Sequence, residues 1–325
     1  MKFPRRTFLH LAAGAAALPI MSCVAMAQTY PSRPVRLIVT VAAGGSPDII
    51  ARLIGQWLSE RLGQPFFVDD RPGASGNIGT EIVVRASPDG YTLMLAISAN
   101  AINASLYDNL NFNFIRDIAP VASISTIPLV MEVNPSVPAH TIPEFVDYAK
   151  ANPGKINMAS GGTGSPLHVA GELFKMMAGV DMIHVPYRSE ALALPDLISG
   201  QVQMMFGVMP ASLGYIRAGK LRALAVTSAK RQEILPDAPA LNEFYPGYEA
   251  NGWYGIGAPK AMPTEIIEKL NKEINAALSD PTIKGRLADL GCNVFAGSPA
   301  DFGKFIADET EKWAKLIKFA GIKPE

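Results

Sequence analysis

The chain has 325 residues, 49% of them hydrophobic and 18% charged, which is enough for one or two folded domains and excludes intrinsic disorder. Its 29 basic and 29 acidic residues balance. The sequence contains no basic stripe and no acidic tail, so it argues against a nucleic-acid partner.

The first 27 residues have the pattern of an export leader. Three cations are followed by an apolar run at 11–20, too short to span a bilayer, and by an A-x-A cleavage site at 25–27. Arg5-Arg6-Thr7-Phe8-Leu9 is typical of a twin-arginine signal, with an ordinary secretory signal as the alternative. A lipid anchor at Cys23 is disfavoured because the residues before it make a poor lipobox. The sequence therefore predicts a periplasmic protein.

Cleavage would leave 26 of the 29 basic residues against all 29 acidic ones, a net charge near −3. Cys292 would be the only cysteine left, so no internal disulfide is expected. No later segment is long and apolar enough to cross a membrane, which predicts a soluble mature protein.

Strand-like and helix-like segments alternate after the leader, which predicts an α/β protein with parallel sheets. Two extended crossings, near 130–133 and 251–254, divide the chain into a first lobe (28–130 plus 253–325) and a second lobe (131–252). The predicted strands are 35–41, 66–68, 91–97, 127–133, 155–160, 182–186, 202–206, 221–226 and 251–257. The predicted helices are 47–62, 78–85, 142–151, 166–178, 192–199, 265–278, 282–290 and 299–320.

Two segments, 35–48 and 155–168, repeat one design of strand, glycine-rich turn, serine N-cap and proline at the first helical position. Each helix start presents backbone N–H groups at the positive end of a helix dipole, which suits an anion. Because the two starts are about 120 residues apart, we expect an anion to be clamped between two lobes. The residues of these turns that we assign to the ligand site are Ala43, Gly44, Gly45, Ser46, Gly162, Thr163, Gly164 and Ser165.

Several flanking residues have two interpretations. Asp48, expected at the second helical position, either complements the helix dipole or receives a polar group or a water molecule. His168, at the third position of its helix, either faces the pocket or caps the helix. Arg188 follows a strand and either binds a carboxylate or is solvated. Trp253 and Tyr254 either line a hinge or pack in the core, and core packing is favoured.

Enzyme signatures are absent from the sequence. It contains no G-x-S-x-G elbow, Walker loop or HExxH motif. The mature chain has only His140, His168 and His184, none at metal-ligand spacing, so we expect neither a metal nor a cofactor. A catalytic pair of Ser165 and His168 is possible, but Ser165 is better explained as an N-cap.

Several motifs together resemble one family, the Bug family of periplasmic solute receptors for tripartite tricarboxylate transporters. The resemblance covers essentially the whole mature chain. The motifs are Ala43-Gly44-Gly45-x-x-Asp48, Arg71-Pro72-Gly73-Ala74-x-Gly76-Asn77-Ile78-Gly79, Ser87-Pro88-Asp89-Gly90-Tyr91-Thr92-Leu93, Gly164-Ser165-x-x-His168-x-Ala170-Gly171-Glu172-Leu173-Phe174, Val185-Pro186-Tyr187-Arg188 and Ala320-Gly321-Ile322.

The resemblance implies a two-lobed, type II-like periplasmic-binding-protein fold, each lobe a mainly parallel sheet flanked by helices, with the ligand in the cleft. In the family, a ligand carboxylate is held by the two glycine loops, partly through backbone N–H groups and ordered water. Further family contacts fall on two other segments of this chain, 98–100 and 187–189. Beyond the loop residues already named, the resemblance implies that the ligand is bound by Asp48, Ser98, Asn100, His168, Tyr187, Arg188 and Ser189. Three positions depart from the family pattern. Ser189 stands where the family usually has glycine, Ala193 where it often has proline, and Gly207 where an acidic residue is frequent.

The expected function is capture of an organic carboxylate, either a dicarboxylate or an aromatic carboxylate, by a monomer that closes around it and docks on membrane permease subunits. A tricarboxylate is disfavoured because few cationic residues lie near the expected pocket. The alternatives are a ligand-sensing subunit of a signalling system and a periplasmic enzyme that acts on a carboxylate.

Overall fold

The computed structural model describes residues 30–324. The predicted leader, with its arginine pair, its cleavage site and Cys23, lies outside the described residues.

The described chain alternates strands with helices, as the sequence predicts. The strands are β1 (Val35–Val39), β2 (Phe66–Asp70), β3 (Thr92–Ile97), β4 (Ile118–Ile127), β5 (Leu129–Val133), β6 (Asn157–Ser160), β7 (Ile183–Pro186), β8 (Met204–Val208), β9 (Arg222–Val226), β10 (Gly252–Pro259) and β11 (Asn293–Val294). The helices are α1 (Ser46–Leu62), α2 (Asn77–Val84), α3 (Ser98–Leu106), α4 (Phe114–Asp117), α5 (Ile142–Ala151), α6 (Pro166–Ala178), α7 (Glu190–Ser199), α8 (Met209–Arg217), α9 (Thr264–Ser279), α10 (Pro281–Asp289) and α11 (Pro299–Ala320).

Local capping chemistry explains where the helices begin and end. Thr141 accepts the Glu144 N–H at the start of α5, and Ser298 and Asp301 form a capping box at the start of α11. Gly63 ends α1 with a φ of 74°, a left-handed conformation that glycine adopts without a Cβ penalty. These ends agree with the sequence predictions to within about two residues.

Two mixed sheets form the centre of the molecule. The first has the order β11-β4-β10-β3-β1-β2 and the second the order β7-β6-β8-β5-β9. Four strands of each sheet run in one direction, while β10 lies antiparallel between β3 and β4, and β5 lies antiparallel between β8 and β9. The predicted α/β class with two helix-flanked sheets is confirmed. β5 and β10, the two strands with which the chain enters one sheet from the other, are among the antiparallel strands.

The chain crosses between the sheets at two adjacent places. β4 ends at Ile127 in the first sheet and β5 begins at Leu129 in the second. Thr227, after β9, exchanges backbone and side-chain hydrogen bonds with Leu129 at 2.9 and 2.8 Å, and its hydroxyl donates to Asn251 Oδ1 at 3.1 Å. Both crossings are therefore tied together through one threonine.

Helix α11 packs against both halves of the molecule. Phe302, in its first half, lies under β10, where the missing Cβ of Gly255 leaves room for the ring. Its second half, with Trp313 and Leu316, is buried and the helix contacts α3 and α6. One apolar cluster consequently runs from Met94 of the first sheet to Phe206 of the second.

Two aromatic residues next to the second crossing belong to the core. Trp253 and Tyr254 are 1% and 9% exposed, and the Trp253 ring meets Phe302 edge-on at 5.8 Å. The favoured interpretation, that Trp253 and Tyr254 pack in the core, is therefore confirmed. Among residues 30–324, none of the helices combines the length and apolar character needed to cross a lipid bilayer.

Candidate ligand-binding site

Two glycine loops lie at the carboxyl ends of parallel strands, one in each sheet. The first loop, residues 42–46, joins β1 to α1, and the second loop, residues 161–165, joins β6 to α6. In α/β folds ligands bind at this edge of the sheet. The loops are built by closely similar local chemistry, although their sequences differ.

The first loop opens its helix one residue earlier than predicted. Gly45, with φ −82° and ψ 169°, is the N-cap, so Ser46 is the first helical residue and Asp48 the third. The sequence-based assignment of Ser46 as N-cap is therefore wrong. It fails because the oxygen that accepts the hydrogen bond closing this turn belongs to Asp48 and not to Ser46. Because Gly45 has no capping side chain, the first N–H groups of α1 are left for another acceptor.

Asp48 is committed to the loop itself. Its side chain is 6% exposed, accepts the Gly44 N–H at 2.9 Å and pairs with Arg52 Nε at 2.7 Å. Arg52 also pairs with Asp70 at 3.2 Å. The Asp48 charge is thus balanced locally, and the carboxylate fixes Gly44, whose φ of +88° suits glycine.

The second loop repeats this bridge with a histidine. His168, the third residue of α6, accepts the Gly164 N–H on Nδ1 at 3.0 Å, and Gly164 has a φ of +74°. Ser165 is the N-cap and accepts the His168 N–H at 3.3 Å, with Pro166 next, as predicted. In both loops a third-position side chain therefore holds a left-handed glycine four residues earlier.

A buried polar cluster supports the second loop from behind. The His168 and His184 rings stack at 3.6 Å, and His184 Nε2 lies 2.7 Å from Ser160 Oγ, which accepts the Gly162 N–H at 3.1 Å. Burial, followed by the nearby His168, lowers the pKa of His184 to about 4. Since His168 Nδ1 accepts a hydrogen bond, its ring hydrogen is on Nε2, 3.6 Å from Glu172. The cluster therefore supports the loop through hydrogen bonds and ring stacking, with His184 neutral near pH 7.

Ser98 and Asn100 lie at the start of α3 and are 5% and 3% exposed. Asn100 accepts the Ile97 N–H at 2.8 Å and donates to Thr80 Oγ1 at 3.0 Å. Both ends of its amide are thus engaged within the fold. Asn100 therefore supports the fold around the site. Ser98 Oγ lies near the start of β10, 3.8 Å from the position that a Cβ of Gly252 would have.

Tyr187, Arg188 and Ser189 follow β7 at the same edge. The Tyr187 N–H donates to Ser160 O at 3.0 Å, and its hydroxyl donates to Asp196 at 2.6 Å. Arg188 and Ser189 are exposed, and Ser189 is the N-cap of α7 without a side-chain cap. Tyr187 therefore positions this segment, while Arg188 keeps both of its sequence-based interpretations.

A contact across the cleft was not visible in the sequence. Leu106, at the end of α3, packs so closely on Gly164 that a Cβ there would lie 2.3 Å from Leu106 Cδ2. The only signal was a glycine in a turn, which has many other causes. This contact places the second loop directly against the helix of the first sheet.

Gly164→Ala is expected to destabilise the protein by about 2–4 kcal/mol, because alanine is strained at this φ and meets Leu106. Leu106→Ala alone should cost about 2–5 kcal/mol. In urea unfolding, the free energy of unfolding of the double variant should fall by at least about 1 kcal/mol less than the sum of the falls in the two single variants. Strictly additive effects would contradict the contact.

The sequence also missed a buried carboxyl in the second sheet. Glu132 on β5 is fully buried, and its Oε1 accepts the Ser212 hydroxyl at 2.7 Å. Oε1 lies 2.3 Å from where a Cβ of Gly207 would be, so it occupies the space that a side chain at 207 would need. The glutamate within the apolar strand and the glycine within β8 were the available signals. Within the described residues, no group of three potential metal ligands is present.

Comparison with known proteins gives concordant results. The family model described as "Tripartite tricarboxylate transporter family receptor" matches residues 50–322. Protein BugT of Bordetella pertussis is 36% identical over 300 residues, 91% of this chain and 92% of BugT.

Solved structures agree with this match. Rpa4515 of R. palustris, solved with adipate, superposes with a TM-score of 0.80 at 36% identity, covering 91% of this chain and 100% of that one. The periplasmic binding protein BugD gives a TM-score of 0.77 at 34% identity, with coverages of 91% and 100%. The two-lobed fold expected from the motifs is thereby confirmed.

Proposed function

The chain belongs to the tripartite tricarboxylate transporter receptor family, and from this premise we propose that it captures an organic carboxylate between its two glycine loops. The preferred ligands are dicarboxylates and aromatic carboxylates. The residues proposed to contact or support the ligand are those of the two loops with Asp48, Ser98, Asn100, His168, Tyr187, Arg188 and Ser189.

The observation that carries this proposal is the matched bridge in the two loops. Asp48 and His168 each hold a glycine N–H from the third position of a helix, at 2.9 and 3.0 Å. The N–H groups of Ser46 and Asp48 at the start of α1, and of Leu167 at the start of α6, are then presented by a fixed loop, where the helix dipole favours an anion. Several charge-assisted hydrogen bonds of roughly 1.5–3 kcal/mol each provide much of the gross interaction of a micromolar ligand.

The charges near the loops favour a ligand with few carboxylates. Arg52 is paired with Asp48 and Asp70, which leaves Arg188 as the exposed cation among the proposed site residues. A tricarboxylate would bring three charges to this site, so it is disfavoured. The relative solved with adipate supports a dicarboxylate.

Delivery follows from capture in this proposal. The leader would export the chain to the periplasm by the twin-arginine route. The protein would act as a monomer, and the two crossings joined by Thr227 would serve as the hinge about which its lobes close on the ligand. The closed form would then dock on membrane permease subunits. Ligand recovered unchanged from the protein would agree with transport and oppose turnover.

A thermal-shift screen of the mature protein, first stripped of any co-purified ligand, tests the proposal. A carboxylate at 100 times its Kd should add about 2.7 kcal/mol of stability, a rise of several degrees in Tm. Small-angle scattering of the same samples should show a smaller radius of gyration with ligand. If no mono-, di- or aromatic carboxylate raises Tm, the two helix starts are structural and the proposal is wrong.

A further inference from the structure

A third loop, residues 71–77, lies beside the first one. It follows β2, which is the parallel neighbour of β1, so both loops leave the same edge of the sheet. Ala74 and Ser75 have φ values of 46° and 55°, a region that non-glycine residues rarely occupy. Such strain persists only where surrounding contacts hold it, and it collects at ligand clamps and active sites.

The end of α3 holds this strained turn. Ser75 Oγ lies 2.9 Å from Tyr107 OH, and Asn103 Nδ2 donates to Ser75 O at 2.8 Å. Ser75 is nevertheless exposed. The turn is therefore fixed from one side and open on the other.

Contacts of neighbouring residues connect the Ser75–Tyr107 hydroxyl pair to the chain just before the first loop and to the second loop. A Cβ at Gly76 would lie 3.0 Å from Thr40 Oγ1, three residues before Ala43 of the first loop. On the other side, Leu106 precedes Tyr107 and touches Gly164 of the second loop. The pair is thus one residue from a contact with Thr40, which precedes the first loop, and one residue from a contact with the second loop.

We propose that the Ser75–Tyr107 hydroxyl pair binds the second polar group of the ligand and so selects carboxylates that have one. The proposal rests on the function given above, with one carboxylate held by the glycine loops. Within the pair one hydroxyl donates to the other, which leaves one O–H to donate outward. A neutral hydroxyl of this kind donates to an oxygen of a second carboxylate without adding a charge to the site.

The test compares each dicarboxylate with the monocarboxylate of the same skeleton: succinate with butyrate, adipate with hexanoate, and terephthalate with benzoate. Calorimetric titrations are made on the parent protein, Tyr107→Phe and Ser75→Ala. Tyr91→Phe is the matched control, since it removes a hydroxyl 3.0 Å from Ser32 at the amino end of β3, away from the loops.

Both variants should bind the dicarboxylate about tenfold more weakly, as expected for one lost hydrogen bond to a charged group, and bind the monocarboxylate unchanged. The control should bind both as the parent does. Equal losses for the two ligands, or no loss for either, would overturn the proposed role of the pair while leaving the carboxylate receptor intact. A parent protein that binds none of the six compounds would overturn the proposed function, and this inference with it.

Discussion

A receptor with Gly45→Asp is expected to lose carboxylate binding by about a thousandfold while it remains folded. Gly45 has ordinary extended backbone angles, and a Cβ there would meet only Pro47 Cδ, at 3.5 Å. Aspartate is also a preferred N-cap residue, so the variant should be at least as stable as the parent. Its carboxylate, however, would take the position at the start of α1 that we assign to the ligand.

The size of the loss follows from electrostatics. Two like charges about 4 Å apart at a protein surface repel by about 4 kcal/mol, which is roughly a thousandfold in Kd. Titration calorimetry with the carboxylate found in the screen measures it, with circular dichroism to confirm folding.

Gly45→Asn is the matched control, because asparagine caps a helix equally well and has the same shape without the charge. It should bind far more tightly than the aspartate variant. If the aspartate variant is folded and keeps the parent's affinity, the first loop is not part of the binding site.

The second large effect concerns pH. Glu132 is fully buried, and its Oε2 has no hydrogen-bond partner within the described structure. Burial raises the pKa of Glu132 from 4.5 to about 8, and the nearby Glu190 carboxyl adds to this. Between these values the folded protein keeps a proton that the unfolded chain releases. The free energy of unfolding should therefore fall as pH rises from about 4.5 to 8, by up to about 5 kcal/mol.

Glu132→Gln should remove most of this fall, because glutamine keeps the shape and the Ser212 contact without a titrating proton. Near pH 5 the variant and the parent should be of similar stability, whereas above pH 8 the variant should be more stable by a few kcal/mol. Urea unfolding at a series of pH values measures both curves. Burial also raises the pKa of Glu190 to about 7, so the variant should keep a smaller fall of the same sign.

Glu311→Gln provides the control. Glu311 has a side chain 68% exposed and pairs with Lys315, so this substitution makes the same chemical change at the surface and leaves the buried carboxyl in place. Its profile should parallel that of the parent. Parallel profiles for Glu132→Gln and the parent would show that Glu132 does not carry the pH dependence.

The sequence predicted best what depends on neighbouring residues. Ser165, Pro166 and the glycine caps work through hydrogen bonds only a few residues long, so their pattern is readable locally. The first helix begins one residue earlier than predicted because the Asp48 carboxylate, and not the Ser46 hydroxyl, accepts the hydrogen bond that closes this turn. Long-range pairs such as Leu106–Gly164, Ser75–Tyr107 and Glu132–Gly207 depend on the packing of separate elements and have no local signature.

Strand β4 shows another reason for failure. The sequence predicted an extended segment only from Ile127, whereas the strand begins at Ile118. Pro120 cannot donate a ladder hydrogen bond, and proline ordinarily argues against a central strand. Here the pairing with β10 is irregular between Ile256 and Gly257, where Gly257 lies opposite Pro120, so the proline is accommodated.

Because α11 belongs to the packing of both sheets, neither half of this receptor is an autonomous domain. The apolar cluster that it completes runs without a break between the two sheets. Such a molecule should melt in a single cooperative step, so a ligand bound at the cleft stabilises every part of it. Chimaeras that exchange one half between family members must therefore carry the matching surface of α11, or repack Trp313 and Leu316 against a foreign α6.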